Sequence, residues 1–366
     1  MSPHHVRRPT YPLAHAVRTK PRRVPLVLRF SSGAIHSIIF VPVLLHALFT
    51  ALIVYLDRYV SGNLTIPSTI IPSLSIVVGL MLVFRNGTSY DRFWTGRNCL
   101  TTIGTSVRNL TRAFLVSARG KDGGKLSDEE KADTEKVIRA LVAVLYAIKH
   151  NLRAEFNIPP ASLLADQHQA PPRPGFSRTN TLTGTEEDGL ATAKAEYTSL
   201  LPDGLMGYED QGLGLPLQLT VLVESYIRRG FERGWFHGPQ ASQMTVQVNN
   251  LVDAYGRMET IRTTPIPVAH LIHQKQVLAL FNAVLPFAIV DDYGWWSVPI
   301  ISLICFTLYG IEGIGQQLED PFGYDKNDIK MDGIIEDTRQ EVMVLLEEWK
   351  VTRDGRDEVA LGGMFD

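Results

Sequence analysis

Cysteine is scarce in this chain, and charge of one sign does not dominate it. Its 366 residues include two cysteines, Cys99 and Cys305, without the spacing of a zinc site and with little prospect of a disulfide framework. Cys305 lies within an apolar run, so we expect both to be packing residues. The 36 basic and 38 acidic residues give a net charge of −2. This balance gives no indication of a nucleic-acid partner.

Motifs of enzyme active sites are also missing. The chain has no G-x-S-x-G, no P-loop, no H-E-x-x-H and no Cys-x-x-Cys. His270 and His273 are three residues apart, which favours helix-surface histidines over a metal-binding pair. A membrane-embedded enzyme would need a polar catalytic set within a span, but His36 and His46 do not lie on adjacent turns. We therefore predict that the protein is not an enzyme.

A few intensely apolar runs stand out, separated by long polar stretches. The mean hydropathy of +0.02 is low for a polytopic membrane protein. We therefore expect one part of the chain in a membrane and another part outside it. Runs at about residues 33–56, 66–84, 276–290 and 295–314 predict four membrane-spanning helices, arranged as two hairpins.

The charges beside these runs predict their orientation. Residues 1–32 carry seven lysines and arginines and no acid, and arginines from Arg85 to Arg112 follow the second run. Both ends of the first hairpin are therefore expected on the cytosolic side. Asp291 and Asp292 place the turn of the second hairpin outside. The prediction is an integral, multi-pass membrane protein with both termini cytosolic; a transit peptide is the alternative interpretation of residues 1–32.

The region between the hairpins is predicted to be cytosolic. Amphipathic helices are expected at about residues 101–150 and 213–262. Between them, residues 165–190 are rich in Pro, Gly, Ser and Thr, which predicts a disordered insertion. A last amphipathic helix follows the second hairpin, and residues 351–366 form a C-terminal tail. The predicted fold class is all-α, with one main domain over residues 33–350.

The second apolar run carries the most information about function. Ile76, Leu80 and Phe84 are spaced four residues apart and lie near one face of the predicted helix. By periodicity alone, such a stripe is typical of a surface that faces lipid or another helix. If several subunits placed it around an axis, however, it would form apolar rings that can gate a pore by excluding water. Both interpretations remain open at this point.

The residues around this stripe resemble the bestrophin family of anion channels, in its bacterial, fungal and plant branches. The segment from Phe84 to Arg97 contains the family pattern F-R-x-x-x-x-Y-x-R-[FW]-W-x-x-R. Pro265-Ile266-Pro267 and the blocks at 294–312 and 320–325 also match, in the family's order. The resemblance covers about residues 25–350, apart from the insertion.

The resemblance implies an all-helical homopentamer with one central pore. It implies a narrow neck formed by Ile76, Leu80 and Phe84 on the second span. It also implies a second constriction in a cytosolic funnel, near Pro239 and Gln240. Three arginines of the matching segment are expected to form structural ion pairs and interfaces rather than to bind ions in the pore; they are Arg85, Arg92 and Arg97.

Animal bestrophins hold a regulatory calcium ion in an acidic run. The matching residues here are Asp320, Asp325, Asn327 and Asp328. Oxygen ligands suit calcium, but Tyr324 and Lys326 replace acids in the run, and an ammonium group weakens a divalent cation site. Helix capping by Asp325 or Asp328 is the alternative. No cofactor is expected to be required.

The function predicted from the resemblance is a passive channel for chloride and other monovalent anions. Its partners are the lipid bilayer, the permeant anions and further copies of the same chain, with no nucleic acid. The alternative is a non-conducting membrane scaffold or regulator that binds proteins through its cytosolic helices, because a shared fold does not guarantee conduction.

Overall fold

The computed structural model describes residues 35–62, 64–118, 126–154, 200–201, 205, 208 and 212–353. These residues are mostly helical and contain no β-strand, which confirms the predicted helical fold class. The predictions for residues 1–32, for the 165–190 insertion and for most of the 351–366 tail lie outside the described residues.

Eight α-helices are found in the described residues. In chain order they are α1 (His36–Leu56), α2 (Ile71–Ser117), α3 (Asp128–Arg153), α4 (Leu215–Glu232), α5 (Gly238–Thr263), α6 (Val268–Tyr293), α7 (Ser297–Leu318) and α8 (Met331–Arg353). A π-helical turn, Asp57–Ser61, follows α1. Single 3₁₀ turns, Ser68–Ile70 and Gly294–Trp296, precede α2 and α7.

The chain divides into two compact units. The first, which we call the apolar unit, contains the described residues up to Gly96 and the segment Ile261–Ile329. The second, which we call the polar unit, contains the described residues from Arg97 to Thr260 and from Lys330 onward. Helices α1, α6 and α7 belong to the apolar unit, and α3, α4 and α8 belong to the polar unit.

Within the residues that the structure describes, three helical stretches are long and apolar enough to cross a membrane. They are His36–Val60, Ser68–Ser117 and Val268–Leu318. The third stretch holds two of the predicted spans, α6 and α7, which meet at Gly294. This residue has a φ of +52°, which glycine adopts without steric cost. The predicted number of four spans stays a prediction.

The helices extend beyond the apolar runs from which they were predicted. The second run ends at Phe84, but α2 continues as one α-helix of 47 residues to Ser117. Similarly, α6 runs from Val268 to Tyr293, so Asp291 and Asp292 are helical and only Gly294 breaks the chain direction. Hydropathy marks the apolar part of a helix, whereas backbone hydrogen bonding continues until a residue interrupts it.

The core of the apolar unit lies between α2, α6 and α7. Its buried residues are Val78, Leu82, Leu278, Phe281, Leu285, Ile301 and Cys305. Helix α1 packs mainly against α7 and also against α6. Both cysteines of the chain are buried and free, in agreement with a packing role.

Helix α3 is the central helix of the polar unit and differs from its prediction. A capping box starts it, in which Ser127 and Glu130 exchange hydrogen bonds between side chain and backbone. From residue 140 to residue 150 every side chain is buried. The predicted amphipathic pattern is present over residues 128–139, which mix exposed and buried side chains. Over residues 140–150, however, α4 and α8 both pack against α3 and leave no solvated face.

Candidate functional site

The first half of α2 has two contrasting faces. Its buried face carries Val78, Leu82, Arg85 and Ser89, with spacings of four, three and four residues. Val78 and Leu82 enter the core of the apolar unit and are each 3% exposed. Helical periodicity thus orients α2 within its unit.

The other face carries the three side chains predicted to form a pore neck, which we call the neck stripe. Ile76 is 70% exposed, Leu80 54% and Phe84 63%. The protomer therefore leaves this apolar stripe uncovered within its described residues. An uncovered apolar face on a membrane helix suits lipid, a neighbouring subunit or a gated pore, so the geometry is compatible with both interpretations of the stripe.

Arg85, the residue after the stripe, lies in a buried polar cluster. Its side chain is 2% exposed, and Nη2 forms an ion pair of 2.7 Å with Oε2 of Glu319. Nη1 donates to Oγ of Ser89 at 3.3 Å, and Nε lies 4.0 Å from Oε2 of Glu312. Gln274 also donates to Glu312, at 3.1 Å. This cluster joins α2 to α6 and to the end of α7.

Arg92 bonds to backbone rather than to carboxylates. Its guanidinium donates to the carbonyl oxygens of Ile261 at 2.6 Å, Thr264 at 2.8 Å and Glu319 at 2.9 Å. These carbonyls belong to the segment before α6 and to the residue that follows α7. The Arg92 side chain therefore connects α2 both to the segment before α6 and to the residue after α7. A planar guanidinium with several N–H donors suits three carbonyl acceptors, whereas the ammonium group of a lysine would not.

Arg97 makes a local contact in the polar unit. Its Nη1 donates to Oγ1 of Thr101, one turn further along α2. In the described residues Arg85 is thus the ion-paired arginine of the three, while Arg92 binds carbonyls and Arg97 a hydroxyl. The sequence pattern identified these three arginines but did not predict that each binds a different kind of partner.

The 320–325 block packs directly on α2. Phe322 is buried, and a Cβ added at Gly96 would lie 2.8 Å from Cζ of that ring. Gly96 is therefore small because an aromatic ring occupies the space where its side chain would be. This contact, like the Gln274–Glu312 hydrogen bond, was not found in the sequence. A lone acid at the end of an apolar run was the available signal for Glu312.

The residues of the predicted calcium site form hydrogen bonds with other protein groups, and a calcium site there stays a prediction. Oδ2 of Asp320 accepts a 2.6 Å hydrogen bond from Arg262, and Asn327 donates to Gln317. Oδ2 of Asp328 accepts the backbone N–H of Asp325 at 2.8 Å, which closes a turn before α8. Among the described residues, no group of three or more His, Cys, Asp or Glu side chains could hold a metal ion.

Pro239 and Gln240, predicted near a second constriction, lie in the first turn of α5. Pro239 is exposed, whereas Gln240 is half-buried and its Nε2 donates to Oγ of Ser117 at 2.7 Å. Ser117 is the last residue of α2, so this hydrogen bond ties the start of α5 to the end of α2 within the polar unit. A constriction at these residues stays a prediction.

Comparison with known proteins covers most of the chain. The family model described as bacterial/fungal bestrophin protein matches residues 15–344. A voltage-dependent anion channel-forming protein of Nostoc sp., alr2987, is 32% identical over 82% of this chain and 85% of its own length. A protein of the same printed name from Synechocystis sp., sll1024, is 32% identical over 74% of this chain and 75% of its own length.

Solved structures agree in fold. A crystal structure of a bacterial bestrophin homologue from Klebsiella pneumoniae superposes with a TM-score of 0.65 and 22% identity, covering 84% of this chain and 98% of that one. A membrane protein variant, P143A, gives a TM-score of 0.66 at 22% identity over 85% and 99%. The sequence match and these superpositions agree with the apolar helices described above. The chain belongs to the bacterial and fungal bestrophin family and is an integral membrane protein.

Proposed function

We propose that the protein is a passive channel for monovalent anions, chloride among them. The observation that carries the proposal is the neck stripe, an exposed apolar stripe on a helix whose opposite face is held by a core and a buried ion pair. Relatives at 32% identity are named as anion channel-forming proteins, which supports conduction by this chain. We expect that this activity requires no cofactor.

A single protomer does not enclose a pore with this stripe, because the stripe lies on its outer surface. The proposal therefore includes a homo-oligomer, with five subunits as the family resemblance implies. Each subunit would contribute four spans, namely α1, the first part of α2, α6 and α7. Both termini would be cytosolic, as the basic residues flanking the first hairpin suggest.

The chemistry of such a neck determines which anions pass. Rings of Ile76, Leu80 and Phe84 offer no hydrogen bonds, so an ion must shed part of its hydration shell to enter. Weakly hydrated anions such as iodide, nitrate or thiocyanate would therefore pass more readily than chloride. The positive edges of the Phe84 rings would favour anions over cations at the narrowest point.

Anion flux into liposomes that contain the purified protein tests this proposal. Ile76→Ala and Phe84→Ala should widen the neck and flatten the preference for iodide over chloride. Leu303→Ala is a matched control, because Leu303 on α7 is also an exposed apolar residue, at 67%. It should leave the preference unchanged. Parallel assays with and without micromolar calcium test the weaker prediction of a calcium response.

Two results would count against this proposal, one against the neck assignment and one against the channel itself. An unchanged order of anion permeabilities in both neck variants would show that these residues do not form the neck. The absence of flux from a folded, oligomeric wild type would favour the alternative, a non-conducting membrane scaffold that binds proteins through its cytosolic helices.

A further inference from the structure

Charged residues are rare in the part of α2 that belongs to the apolar unit. Between Ile71 and Gly96 the charged side chains are Arg85, Asp91 and Arg92. Arg85 is buried against two glutamates, and Arg92 is half-buried against three carbonyls. Asp91 differs from both because its side chain is exposed.

Asp91 lies on the same face of α2 as the neck stripe. It follows Phe84 by seven residues, which at 3.6 residues per turn turns it by only about 20° from Phe84. Thr88 and Thr95 fall within about 40° of Phe84 by the same geometry, and both are exposed. The apolar stripe thus continues along α2 as a polar one that contains a single charge.

The carboxylate of Asp91 is not paired with a cationic side chain of the described residues. Within the described part of the chain it has no hydrogen bond and no ion pair. The adjacent Arg92 points its guanidinium at the carbonyls of Ile261, Thr264 and Glu319. The negative charge of Asp91 therefore acts on whatever lies in front of this face.

Thr88 adds a hydrogen-bond acceptor to the face of α2 that carries Asp91. Its hydroxyl donates to the carbonyl oxygen of Phe84 at 2.9 Å, so the donor of that hydroxyl is already used. What remains on its outer side is an oxygen with acceptor lone pairs. Directly after the neck stripe, the exposed face of α2 thus offers acceptors and a carboxylate rather than donors for an anion.

We propose that Asp91 is a selectivity-determining residue that limits how strongly the channel prefers anions over cations. The inference rests on the proposed function, since the residue acts only if this face lines an ion path. One carboxylate per subunit would form a ring of negative charge beside the neck, and such rings attract cations and repel anions. The neck would favour anions over cations, whereas the Asp91 ring would repel anions and attract cations.

Reversal potentials measured across planar bilayers under a potassium chloride gradient test this inference. Asp91→Asn should raise the chloride-to-potassium permeability ratio, by roughly two- to tenfold given the field of a same-sign ring. Asp91→Lys should raise it further, and Asp91→Glu, which retains the charge, should match the wild type. All of these shifts should shrink as salt concentration rises, because ions screen the carboxylates.

Asp128→Asn is the control for a change of net charge alone. Asp128 is an exposed aspartate in the first turn of α3, and its substitution should not move the reversal potential. If the wild type conducts and neither Asp91→Asn nor Asp91→Lys changes the ratio, the inference is wrong while the channel stands. If the wild type passes no ions at all, the proposed function fails and the role of Asp91 fails with it.

Discussion

Two faces of one helix carry nearly the same side chains and have different surroundings. Val78 and Leu82 are each 3% exposed, whereas Ile76 and Leu80, two residues before each, are 70% and 54% exposed. All four are aliphatic, so composition does not separate them. Their angular positions on α2 separate them, because α6 and α7 cover only one side of that helix. The buried face is expected to carry stability and the exposed face function.

The largest effect should come from breaking the ion pair on the buried face. Arg85→Ala removes the cation next to Glu319 and Glu312 and leaves their carboxylates without it in a mostly buried site. The expected loss of stability is about 3–5 kcal/mol, the usual cost of removing one partner of a buried pair. Thermal and denaturant unfolding of the detergent-solubilised protein measures it.

Ser89→Ala is the matched control for Arg85→Ala. It removes the weaker, 3.3 Å partner of the same guanidinium and leaves the ion pair with Glu319 intact. Its effect on stability should be much smaller. Equal stability of Arg85→Ala and the wild type would show that the cluster does not hold α2 to α7.

A matched pair of leucine substitutions sharpens the comparison between the faces. Leu82→Ala creates a cavity in the core and should cost about 2–5 kcal/mol. Leu80→Ala changes an exposed side chain and should cost about 0.5 kcal/mol or less. For ion flux the order should reverse, with Leu80→Ala altering the anion preference of folded protein.

Urea unfolding and liposome flux, measured on both variants, decide between these expectations. If Leu80→Ala destabilised the protein as much as Leu82→Ala, the neck stripe would be a packing surface, and the functional contrast between the two faces would disappear.

The smallest effect concerns acid stability in the polar unit. Burial by itself raises the pKa of Asp332, but the hydrogen bonds from Arg153 and the charges of Arg153 and Lys149 outweigh it and lower the pKa overall. Nη2 of Arg153 lies 3.0 Å from Asp332 and Nζ of Lys149 3.2 Å. A carboxyl with a lowered folded-state pKa stabilises the fold above its ordinary pKa and loses that contribution as pH falls through the folded value.

We therefore expect stability to decline below about pH 4, the ordinary range for an aspartate. Asp332→Asn should flatten part of that decline, and only part, because the Asp332 side chain is 59% exposed and its ion pairs are screened by solvent. Melting temperatures measured from neutral to acidic pH test this, with Asp128→Asn as a control. An identical pH profile for Asp332→Asn and the wild type would contradict the assignment.

Local patterns in the sequence were sufficient for the helical class and for the apolar runs. Residues such as Ile76, Leu80 and Phe84 could be assigned to one helical face because helix geometry depends only on spacing. The full length of α2 could not be predicted, since polar residues from Arg85 onward gave no hydropathy signal although the backbone remains helical to Ser117. The burial of residues 140–150 of α3 on all sides also depended on helices distant in sequence.

The helical architecture, the apolar runs and the family could all be predicted from the amino-acid sequence, because they follow from local periodicity and from motif order along the chain. Three features became visible in the folded protein alone: Arg85 pairs with Glu319, Arg92 binds three carbonyls and Asp91 is exposed. The physical reason is that side-chain partners come from segments more than 150 residues apart, as Arg92 and Ile261 are. Their approach depends on packing that local sequence does not encode.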